Sequence, residues 1–277
     1  MITKSASTSA TLRNTSARSI KADAVVIGIH GSAGNGSGIA AAAGAADVAD
    51  GFGKRFATML EDLGASTKVG DTCKLPSADS AKAPLVVTVG LGPEPDDELD
   101  LEALRRAAGA AARAAAGKKT VVLALPASTD DQIRAVVEGA LLGNYGYDRY
   151  LTKKHEPVAE FVVVSEVARS RTARKALADA TAVAAAVNFC RDLVNAPPND
   201  LYPESFAKQV KDASKGTDVT VSITDEKALE SKGYGGIMGV GRGSVRPPRL
   251  VKLSYRPAKP VAHLAFVGKG ITFDSGG

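Results

Sequence analysis

The chain contains no tryptophan and only 6 tyrosines and 7 phenylalanines in 277 residues, so it has little from which to build the aromatic platforms that hold single-stranded nucleic acid. It has two cysteines. Cys73 and Cys190 each stand alone, which excludes Cys-based zinc spacing and a disulfide framework and fits a reducing compartment. The three histidines, His30, His155 and His263, lie far apart, and none has a His or Cys three or four residues on. Each therefore reads as structural rather than as half of a helical metal pair. No apolar run approaches the length of a membrane span, and residues 1–21, rich in Ser and Thr, lack the apolar stretch of a signal peptide. These absences predict a soluble, cytoplasmic protein with no membrane partner.

Charge gives a weaker exclusion. The net charge is +5 and the sequence pI about 9.1, a balance that leaves DNA as a candidate partner. Lys and Arg are nevertheless interspersed with Asp and Glu, and no run of five like charges occurs, which is the pattern of a solvated mixed surface. Serine-hydrolase chemistry is unsupported, because Gly36-Ser37-Gly38 is too short for a nucleophile elbow and Gly241-Arg242-Gly243-Ser244-Val245 has glycine in the wrong frame. The glycine cluster at residues 31–38 lacks both the Gly-Lys-Ser/Thr ending of a P-loop and the ordered spacing of a dinucleotide fingerprint, and reads as a surface loop.

What is present alternates between strand and helix signals. Short apolar runs at residues 24–29, 84–90, 120–125 and 160–164 have the length and β-branched content of buried strands. Between them, helical spacing runs over residues 48–63, with Gly64 as the stop. A further Ala-rich helix is expected over 99–116, opened by acids at Asp96, Asp97, Glu98 and Asp100, and another over 130–142. This order predicts an α/β fold with a mainly parallel sheet. A long Ala-rich helix over 171–194 reads as a connector, followed by strands at 219–223, 249–255 and 261–267 and a short helix at 225–232. The glycine-rich run 232–244 reads as a loop beside a sheet. The expected division is an N-terminal α/β domain over 1–165, the connector helix over 166–194 and an incomplete second domain over 195–277. A buried-type strand ending in Ser275-Gly276-Gly277 has nothing after it to cover it, so the chain is expected to be a fragment.

The chemistry concentrates in the last eleven residues, Val267-Gly268-Lys269-Gly270-Ile271-Thr272-Phe273-Asp274-Ser275-Gly276-Gly277. A strand delivers Lys269 and Asp274 near its carboxyl end, where open α/β sheets form ligand sites, although taken alone the two residues are also an ordinary surface Lys/Asp pair.

Several separate segments together resemble the cytosolic leucyl aminopeptidase family. They are Val89-Gly90-Leu91-Gly92, Leu104-Arg105-Arg106-Ala107-Ala108-Gly109, Glu138-Gly139-Ala140-Leu141-Leu142-Gly143-Asn144-Tyr145, Arg191-Asp192-Leu193-Val194-Asn195-Ala196-Pro197-Pro198-Asn199, Gly239-Val240-Gly241-Arg242-Gly243-Ser244 and the closing motif. The resemblance implies a macro-like N-terminal α/β domain and the start of an α/β aminopeptidase catalytic domain. It also implies a dinuclear site of two divalent ions, Mn2+ or Zn2+, with Lys269 as a ligand of one ion and Asp274 as the ligand shared by both. An aspartate has two oxygens with which to span metals about 3.5–4 Å apart, and a lysine donates to a metal only as the neutral amine. Bicarbonate as a proton-transfer cofactor, peptide substrates with a free N-terminus and a homohexamer are implied for the full-length parent. Two ligands do not complete a dinuclear site, so this chain alone is expected to be inactive. The alternative is that the N-terminal domain acts as a nucleic-acid or nucleotide binding or regulatory module.

Overall fold

The computed structural model describes residues 8–31, 38–96 and 98–273. It contains two compact units, one within Lys4–Phe189 and the other within Cys190–Gly277.

The first unit is built on seven strands: β1 (Ser9–Arg13), β2 (Ala24–Gly31), β3 (Ile39–Ala41), β4 (Thr72–Pro76), β5 (Leu85–Pro93), β6 (Thr120–Ala124) and β7 (Glu160–Val164). They lie in the order β1-β7-β6-β2-β5-β4, with β3 on the end of β2. All pairings along β1-β7-β6-β2-β5 are parallel, whereas β4 on β5 and β3 on β2 are antiparallel. The apolar run Ala24-Val25-Val26-Ile27 is fully buried because β2 is central and covered on both faces. On one face, Val25, Ile27 and Ile29 pack with Val48, Phe56 and Leu60; on the other, Ala24 and Val26 pack with Leu104, Ile133 and Phe161.

The helices of this unit are α1 (Ala46–Asp50), α2 (Phe56–Asp62), α3 (Leu101–Ala114) and α4 (Asp130–Gly143), with most of α5 (Arg171–Asn195), whose last residues belong to the second unit. The single helix expected over 48–63 is broken in two. Gly53 takes φ +65° and opens a 3-10 turn, Gly53–Arg55, between α1 and α2. Helical spacing of the apolar side chains survives that interruption, which is why it reads as continuous in sequence. The caps are as the sequence implies. Asp100 accepts from the backbone N–H groups of Glu102 and Ala103 at 2.8 and 3.2 Å, and Thr129 Oγ1 accepts from Gln132 N at 3.2 Å.

The Ala and Gly content of α3 and α4 has a packing reason. Gly109, Gly139 and Gly143 let the two backbones approach until a Cβ at Gly139 would overlap the Arg105 carbonyl, and one at Gly143 would stand 2.5 Å from Gly109 Cα. Ala107, Ala108, Ala111 and Ala112 of α3 are all fully buried, so small side chains here close a tight helix pair rather than merely raise helix propensity.

A carboxylate ties the amino ends of two central strands together. Asp23 Oδ2 accepts from Lys119 N at 2.7 Å and Thr120 N at 3.1 Å. The Thr120 and then the Lys119 amide hold its carboxyl below the ordinary value of 3.8. A carboxylate with a depressed folded-state pKa contributes stability that is present above its unfolded pKa and is lost as pH falls through the folded one. Asp23→Asn should therefore be less stable than the parent at neutral pH, with the gap closing below about pH 4. Urea midpoints measured across pH test this, and a pH-independent gap would contradict it.

The second unit contains α6 (Pro203–Ala213), β8 (Val219–Thr224), α7 (Glu226–Ser231), α8 (Gly235–Gly241) and β9 (Leu250–Tyr255), with β8 and β9 antiparallel. Two expectations are corrected here. The glycine-rich run 232–244 is not wholly a loop: it carries α8, entered after Gly233 at φ +75° and closed against Pro248, whose ring packs on Gly241. Residues 261–267 are not a strand. No described strand runs beside them, so there is no ladder to form, and Val261, Phe266 and Val267 are almost fully exposed. Among the described residues, the buried apolar side chains of this unit are Leu201, Ala207, Val210 and Leu229, a thin core.

Candidate functional site

Lys269 lies in the exposed segment that follows β9, where residues 256–273 adopt neither helix nor strand. Asp274 lies outside the described residues, as does most of the glycine cluster, residues 32–37. The structure therefore describes one of the two predicted metal ligands, and the pairing of Lys269 with Asp274 falls outside the described residues. Among the described residues no group of three or more His, Cys, Asp and Glu side chains is arranged to hold a metal ion. Structural and catalytic ions of the zinc, magnesium or calcium type take four or more donors, so the residues described here do not by themselves fit a dinuclear centre.

What the structure does show is how the segment before β9 is held. Arg249 Nη1 donates to Glu226 Oε2 at 2.6 Å and to the Pro248 carbonyl at 3.0 Å, largely buried. The Arg246 guanidinium stacks on the Tyr202 ring at 3.8 Å from its centroid. Tyr202 is the residue before α6, whose first turn begins with Pro203 and whose Ser205 side chain accepts from Tyr202 N at 2.9 Å. Sequence reasoning left α6 and these two arginine contacts unassigned. Proline after Tyr202, with Ser205 three residues beyond it, is the capping signal that could have found the helix.

The three histidines stand on separate segments: His30 on β2, His155 in the loop before β7 and His263 after β9. His155 Nε2 stands 3.0 Å from the Asn144 carbonyl and its backbone N–H donates to Asp148, which shapes the charged loop before β7. His30 is buried at the carboxyl end of β2, with no partner on Nδ1 among the described residues. Its position matters for the alternative reading of this domain. β2 is where the connections reverse, since the chain passes to β5 on one side and then through α3 to β6 on the other, and doubly wound sheets hold ligands at such a point. Here β3 pairs with Ile29, His30 and Gly31 just beyond the last residue paired to β6, and Gly44 packs on the Leu125 carbonyl. β3 and Gly44 thus lie along the carboxyl ends of β2 and β6.

Several charged groups of each unit form local ion pairs. Asp179 takes Arg134 and Lys175, Arg105 takes Glu102 and Glu138, and Asp212, with Lys208 and Lys215 beside it, has its carboxyl lowered to about 2.

Two models of one family match the chain in tandem: the cytosol aminopeptidase family N-terminal domain over residues 26–154 and its catalytic domain over residues 188–277. The chain belongs to the cytosol aminopeptidase family. A "Probable cytosol aminopeptidase" of Streptomyces avermitilis is 47% identical over 282 residues, covering 98% of this chain and 55% of that protein. One from Streptomyces coelicolor is 47% identical over 289 residues with the same shares. The chain thus spans about half the length of the curated relatives it matches. Among solved structures, the bottromycin maturation enzyme BotP in complex with Mn superposes with a TM-score of 0.66 at 30% identity, over 85% of this chain and 46% of that one. A tomato leucine aminopeptidase mutant superposes with a TM-score of 0.71 at 18% identity, over 93% of this chain and 52% of that one, a likeness of fold. The mixed α/β architecture, with an N-terminal domain followed by the start of a catalytic domain, is that of the cytosol aminopeptidase family. No helix among the described residues is long and apolar enough to cross a membrane.

Proposed function

We propose that the chain supplies the N-terminal domain and the opening metal-binding segment of a cytoplasmic, metal-dependent aminopeptidase of leucyl type, which releases N-terminal residues from peptides. The observation that carries this reading is the tandem match of both family domains, the second of which runs through Lys269 and Asp274. Lys269 would ligate one divalent ion and Asp274 would be shared between two, Mn2+ or Zn2+, with bicarbonate assisting proton transfer. The Mn-bound BotP structure supports a divalent ion in general rather than this number or this pair of ligands. Donors other than the described residues would have to complete the site. The full assembly would be a homohexamer.

The reading is tested by assaying a polypeptide that carries this sequence and spans the relatives' length. Leucyl-p-nitroanilide should be hydrolysed after addition of Mn2+ or Zn2+ and not after chelation, and chelator-resistant turnover would overturn the proposal. The 277-residue chain itself should show no metal-dependent turnover above background. The nucleic-acid or nucleotide module is not favoured, because both family domains match in tandem and no run of five like charges occurs in the sequence.

The domain division of 1–165, 166–194 and 195–277 belongs to the same proposal. Limited proteolysis should cut first beyond residue 195 and leave a folded N-terminal piece that retains its unfolding transition. Cleavage that begins instead inside β2 or β6 would contradict the division.

A further inference from the structure

We draw no further inference here: the strongest candidate, the apolar face that Ile223, Leu253 and Tyr255 leave exposed on the β8–β9 sheet, carries nothing because nothing in the structure shows what covers it.

Discussion

Gly139→Ala is expected to destabilise the first unit by about 3 kcal/mol, at the upper end of what overpacking costs. The added methyl would overlap the carbonyl oxygen of Arg105 and stand 2.9 Å from its carbon and 3.0 Å from Ala108 Cβ. Backbone is the obstacle, so no rotamer change relieves it, and α3 must move away from α4. Against this, alanine is the better helix former by about 1 kcal/mol, a gain smaller than the cost of separating two helices whose facing side chains are fully buried. For a unit of this size the loss corresponds to a fall in Tm of roughly 6–12 °C. Gly236→Ala in α8 is the internal control. A Cβ there meets nothing within 4 Å, so the substitution should be neutral or stabilising by up to about 1 kcal/mol. Thermal unfolding by circular dichroism distinguishes them, and a Gly139→Ala protein as stable as its parent would mean that the helices are not packed as described.

The same helix pair shows what the sequence made legible. Acids before residue 101, the Ala-rich body and the strand signals on either side place α3 within two residues at each end, because caps, periodicity and apolar runs are local properties. The parallel sheet follows from the alternation of such elements. What the sequence could not convey is non-local. β1 is held in the sheet by pairing with β7, about 150 residues away, and its own five residues, Ser9-Ala10-Thr11-Leu12-Arg13, carry little apolar signal. β4 is an edge strand with Lys74 and Pro76 in it, residues that suit an edge and mask a strand. The break between α1 and α2 turns on one glycine conformation, and α8 forms from glycines that intrinsic propensity would leave as loop. Residues 261–267 fail in the opposite sense. Their apolar run is a strand in pattern, but a strand exists only where another lies beside it.

The site divides along the same line. Lys269 and Asp274 are legible only as a motif, through likeness to a family, because their spacing alone does not mark them as ligands. Asp274→Ala, made in a polypeptide that spans the relatives' length, should lower metal-dependent hydrolysis of a leucyl substrate by at least about 1,000-fold, equivalent to about 4 kcal/mol of barrier. The reason lies in the donor chemistry. A carboxylate has two oxygens and is the one side chain at this motif able to contact two ions at once, whereas alanine supplies neither an oxygen nor a charge to offset theirs. Asp274→Asn keeps the shape, loses the negative charge and should fall between the two. Lys269→Arg provides a second, independent arm. A guanidinium remains protonated and has no lone pair to donate, so this variant should lose one ion rather than the shared contact. Metal content per subunit separates the cases by a readout that does not depend on turnover: on the proposed site the parent should retain two equivalents of Mn2+ after gel filtration, Lys269→Arg about one, and Asp274→Ala fewer than the parent with both sites weakened. Full metal content and full activity in Asp274→Ala would remove Asp274 from the ligand set, and unchanged metal content in Lys269→Arg would do the same for Lys269.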